Sequence, residues 1–154
     1  MSAVVNRVHE RVRVETPVEH AFEFACSVDR QREWNPYLEL FRVSGPLSAV
    51  GTHFEAVFDL IGQSTSYEGT VAEATAPSLL HLHLSTEHNH ADWQFRFEPV
   101  DGATMLMIDV DYEKEGLTAG IVDRFVYHAA LERAIRHVAE NFAAIAPTRT
   151  PILR

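Results

Sequence analysis

Two polar residues of this 154-residue chain stand on faces that are otherwise apolar, and they are the natural places to look for chemistry. His128 falls on a stripe formed by Ile121, Phe125, Leu131, Ile135, Val138, Phe142 and Ile145, whose intervals of three and four put them on one side of an α-helix. An imidazole there can hydrogen-bond a ligand and move a proton near neutral pH. It can equally be a boundary histidine satisfied by a carbonyl or a water. Glu10 shares a strand face with Val8, Val12 and Val14. A buried carboxylate without a partner has a raised pKa and serves as a general acid or base, whereas one paired with an arginine is structural. His128 and Glu10 are therefore the two candidate catalytic residues.

Around them, Tyr67, Trp93 and Tyr112 lie in inward phase on their strands, each an apolar body with a polar tip that can orient a ligand or simply pack. Trp34, just before Pro36, is expected near a pocket mouth as an anchor or gate. Phe54, Phe58, Phe95 and Phe125 are expected as pocket wall. His81, His83, His88 and His90 form the densest histidine cluster, and grouped imidazoles can hold zinc, copper or nickel. Leu80, Leu82 and Leu84 claim the inward face of that strand, however, which turns His81 and His83 to solvent, so no metal is expected. The chain has no Gly-x-Ser-x-Gly elbow, phosphate-cradling glycine loop or dinucleotide fingerprint.

Composition narrows the partners. Thirteen basic against 22 acidic residues give a formal charge of −9, which disfavours a phosphate backbone or an anionic membrane surface. The single cysteine, Cys26, excludes an internal disulfide and multi-cysteine metal sites, and suits a reducing cytoplasm. It is expected to be a small packing residue. No apolar run is long enough for a spanning helix, and Met1 to Val14 lacks the apolar block of a signal peptide.

The elements that must position these residues follow from the pattern. Val4 to Glu15 alternates as a half-buried strand. Thr16-Pro17-Val18-Glu19 reads as a helix start with Thr16 as N-cap, and Asp29 to Trp34 as a short second helix that must end before Pro36. Six strands follow, near 38–44, 52–60, 64–75, 79–86, 91–99 and 104–113, punctuated by turns such as Asp101-Gly102. A long helix is expected over Leu117 to Ile145 with Thr118 as cap. Residues 1–147 read as one domain, with a poorly ordered tail at 148–154.

This order resembles the START-like, or birch-pollen-allergen-like, helix-grip superfamily (SRPBCC), and within it the polyketide cyclase/dehydrase-like branch. The Thr-Pro-Val-Glu helix start, Trp34-Asn35-Pro36, the strand and turn from Val71 to Pro77 and the final Gly-Leu…Asp-Arg-Phe…Ala-Leu-Glu-Arg-Ala helix carry the resemblance. It implies an α+β helix-grip fold, a curved antiparallel sheet of about seven strands closed over a cavity by the long helix. A hydrophobic small molecule (lipid, polyketide, sterol or other polycyclic) is then the expected partner, without metal or nucleotide cofactor, in a monomer or homodimer. The alternative is a cyclase/dehydratase-type enzyme that uses the same cavity, with Glu10, His128 or a tyrosine moving the proton. No catalytic motif is shared across that superfamily, so the resemblance supplies a location and not a reaction.

Overall fold

A computed structural model describes residues 6–113 and 121–147. The expected cap Thr118, the first turn of the long helix and the tail at 148–154 lie outside the described residues, as do the side chains of 121–123. Strand β1 (Asn6–Val14) leads into α1 (Val18–Ala25), then a 3-10 turn at Val28–Arg30 and α2 (Gln31–Trp34). Strands β2 (Leu38–Phe41), β3 (His53–Leu60), β4 (Gln63–Thr75), β5 (Leu79–Ser85), β6 (His90–Val100) and β7 (Ala103–Glu113) follow, and α3 (Ile121–Ile145) closes the chain.

All seven strands form one antiparallel sheet in the order β1-β7-β6-β5-β4-β3-β2. Two-residue hairpins join β3 to β4 and β6 to β7. Ile61-Gly62 and Asp101-Gly102 both take positive φ at each central residue, the turn whose twist matches that of the flanking strands. A bulge between Val71 and Glu73 interrupts the β4–β5 register and bends that strand. The first strand, at one edge of the sheet, pairs with β7 and packs against α3.

The inward side of the sheet and the buried face of α3 form one core. Phe142 is its hub, with ring centroids 5.1 Å from Trp34, 5.2 Å from Phe24 and 6.4 Å from Phe97. The aromatic chain runs on from Trp34 to Phe95, Trp93 and Phe58. Cys26 packs against this core, and burial pushes its thiol up to about 12, as befits an inert packing residue.

The start of α1 differs from the sequence reading. Pro17 is the N-cap, and its carbonyl accepts the first helical bond from Ala21. Thr16 is thus one residue before the cap, and it donates its hydroxyl to the carbonyl of Pro147 at 2.6 Å, while its own carbonyl accepts from the Thr104 hydroxyl at 2.7 Å. Thr16 therefore ties the far end of α3 to β7.

Candidate functional site

The α3 face that meets the sheet sets the site. Tyr127, Ala130, Leu131, Ala134, Ile135, Val138, Ala139 and Phe142 are buried, whereas Phe125 is 70% exposed. At about 100° per residue Phe125 falls roughly 120° from Leu131 around the helix, so the expectation of Phe125 as pocket wall is incorrect. Tyr127 takes that place, and His128 sits at the flank of the buried face, partly exposed.

Beneath Tyr127 lies a small cavity. Strand register places Leu84, Ala91 and Tyr112 opposite one another across β5, β6 and β7, with Leu82, Trp93 and Val110 as the next inward row. Phe58, Leu84, Ala91, Trp93, Val110 and Leu131 give the cavity apolar walls, and Tyr67, Tyr112, Tyr127 and Glu113 give it polar tips. The free space for a water-sized molecule is about 10 Å³, roughly one water's worth. The cavity is thus closed around its own side chains.

Tyr112, Tyr127 and His128 are in mutual contact through Tyr112. The Tyr112 hydroxyl and His128 Nδ1 are 2.8 Å apart with their rings stacked at 6.0 Å, and the Tyr112 and Tyr127 rings are 5.6 Å apart. Burial, with a smaller contribution from the charge of Glu132, pushes the Tyr112 phenol up to about 12. Burial raises Tyr127 as well, with smaller contributions from charge repulsion by Tyr67 and Tyr112 should they ionise, and burial alone raises Tyr67. All three phenols therefore remain protonated at neutral pH and act as hydrogen-bonding groups, not as bases.

Of the residues singled out from sequence, the structure brings Phe58, Tyr67, Trp93 and Tyr112 to this cavity, with His128 bonded at its edge. Phe95 and Trp34 lie deeper, in the aromatic chain. Trp34 is buried under α3 and not at a mouth, its carbonyl accepting a 3.5 Å bond from Asn141 Nδ2. Phe54 lies under Gly69, where a Cβ would come within 2.2 Å of its ring. Glu10 is not among the cavity-lining residues and points toward α3, with Oε2 3.7 Å from Arg136 Nε. This is the arginine-paired arrangement, the structural alternative of the two that the sequence offers for Glu10.

On the outer side of the sheet, His81 Nε2 and His83 Nδ1 lie 2.7 and 2.8 Å from the same oxygen of Asp92. His90 Nε2 pairs with Glu113 at 2.7 Å. Burial alone would raise the Asp92 carboxyl, but the hydrogen bonds with His83 and His81 outweigh it and the net shift is downward. Among the described residues no group of three or more histidine, cysteine or acidic side chains is arranged to hold a metal ion. An open polar groove of about 920 Å³ crosses β3, β4 and β5 on this side, with His53, Glu55, Ser66, Glu68 and His83 among its lining residues.

No protein-family model matches this chain, and no curated protein matches it by sequence. Solved structures do match by fold. The Zhui aromatase/cyclase from Streptomyces superposes with a TM-score of 0.73 at 17% identity, over 93% of this chain and 94% of that one. The protein TTHA0849 from Thermus thermophilus gives 0.71 at 13% identity, over 92% and 100%. A START superfamily protein from Mycobacterium smegmatis gives 0.69 at 16% identity, over 91% and 96%. At these identities the likeness shows the fold: this chain has the α+β helix-grip fold of the START-like and birch-pollen-allergen-like proteins. Among its described residues, no helix is long and apolar enough to cross a membrane.

Proposed function

We propose that the protein binds a hydrophobic small molecule between the inward face of the sheet and the first half of α3. The observation that carries this reading is the set of three protonated tyrosines and one histidine gathered at a cavity with aromatic and aliphatic walls. Pockets that take small organic molecules are apolar with a few placed polar groups, typically about 300–1,000 Å³ in volume. The space here is far smaller, so binding requires Tyr127 and Leu131 to move outward with their part of α3. That motion costs affinity, because the open state must be populated before the ligand can occupy it. Native mass spectrometry of the gently purified protein tests the reading: a retained apolar molecule supports it. Only bare protein, with no uptake from an added panel of aromatic compounds, counts against it.

A second reading is a cyclase/dehydratase-type enzyme in the same cavity, and the hydrogen-bonded Tyr112–His128 pair is the observation that favours it. It rests on His128 and the tyrosines, because Glu10 is engaged by Arg136. His128→Ala separates the two readings, since an enzyme loses turnover more than affinity and a carrier has no turnover to lose.

A further inference from the structure

We propose that the cavity recognises a ligand through that ligand's own hydroxyl group, because Glu132 and His128 turn Tyr112 into a hydrogen-bond acceptor; this rests on the ligand-binding reading above.

A single proton lies between the Tyr112 hydroxyl and His128 Nδ1 at 2.8 Å, and either atom can supply it. A neutral imidazole carries one N–H and one bare nitrogen. The other nitrogen of His128, Nε2, lies 3.7 Å from Glu132 Oε2. That is too long for a hydrogen bond, yet near enough that a bare Nε2 would turn its lone pair toward a carboxylate, whereas a protonated Nε2 presents its positive end. This contact favours the proton on Nε2, which leaves Nδ1 bare and Tyr112 as the donor. A phenol has one proton and two lone pairs. With its proton committed to His128, Tyr112 offers only lone pairs to the cavity over which its ring lies. The matching ligand is an apolar ring compound that carries an O–H, and an ether or hydrocarbon of the same shape leaves Tyr112 unanswered.

Two measurements at mildly alkaline pH, where imidazole is neutral, test this. Long-range proton–nitrogen NMR correlation of the ligand-free protein reads which His128 nitrogen is protonated. Nε2 is expected in the wild type, with a shift toward a mixture in Glu132→Ala. Titration with 2-naphthol and 2-methoxynaphthalene then compares one ring system with and without a donor. The wild type is expected to bind 2-naphthol about tenfold more tightly, and Tyr112→Phe to lose that preference. A proton on Nδ1 overturns the inference, as does equal binding of the two compounds or a preference that survives in Tyr112→Phe. Equal binding leaves the ligand-binding reading standing, whereas failure of both compounds to bind overturns that reading and this inference with it.

Discussion

The Glu10 carboxylate and the Arg136 guanidinium stand 3.7 Å apart, joining β1 to α3 at a position where the arginine side chain is 57% exposed and the carboxylate 23%. A pair so open to water is worth little, because solvent screens the attraction and two long side chains must be held in place. Glu10→Gln is expected to change unfolding free energy by less than about 1 kcal/mol in a urea titration. It is expected to leave the affinity for any cavity ligand unchanged. A large loss of affinity would return Glu10 to the binding site.

Phe142 and Phe125 lie on one helix and are expected to behave oppositely. Phe142 is fully buried against Trp34, Phe24 and Phe97, so Phe142→Ala should cost about 3–5 kcal/mol. Phe125 projects from the helix, and Phe125→Ala should fall within about 0.5 kcal/mol of the wild type. Chemical denaturation of the two variants checks the rotation of α3 directly.

Gly69 is buried in β4 directly over the Phe54 ring. Gly69→Ala would put its Cβ 2.2 Å from a ring carbon of Phe54, and such overpacking typically costs about 1–3 kcal/mol. The expected result is a lowered melting temperature, recovered in the double variant in which Phe54→Leu makes room.

Asp92 links His81 and His83 on the outer face, and its folded-state pKa is lowered overall. A depressed carboxyl pKa contributes stability above the unfolded value of about 3.9, and that stability drains away as pH falls through the folded value. Wild type should therefore exceed Asp92→Asn in stability at about pH 5, with the gap closing below about pH 4. Denaturation curves at a series of pH values read the gap.

Much of the fold was legible because its signals are local. Alternation in Trp93, Phe95 and Phe97 and in Leu106, Ile108 and Val110 marks inward faces, and all six are buried. Asp101-Gly102 marks a hairpin because both positions need positive φ. The site was only half legible. A stripe drawn through large apolar residues made Phe125 and His128 the inward members of α3, yet Ala130, Ala134 and Ala139 also share the buried face, and counting them turns the axis toward Tyr127. Leu84, Ala91 and Val110 were missed as lining because that role depends on which residues stand opposite across β5, β6 and β7, a relation that one-strand periodicity does not contain. Thr16 was misread because a local capping pattern competed with a bond to Pro147, 131 residues away.

The central claim is that an apolar molecule enters between the sheet and α3 beneath Tyr127. Methyl NMR during a 2-naphthol titration tests it most directly. The expected result is saturable shifts at Leu84, Val110 and Leu131, which line the cavity, with Val14 and Leu47 unmoved. Shifts confined to the exposed Val50, Ile61 and Val126, or none that saturate, would contradict it.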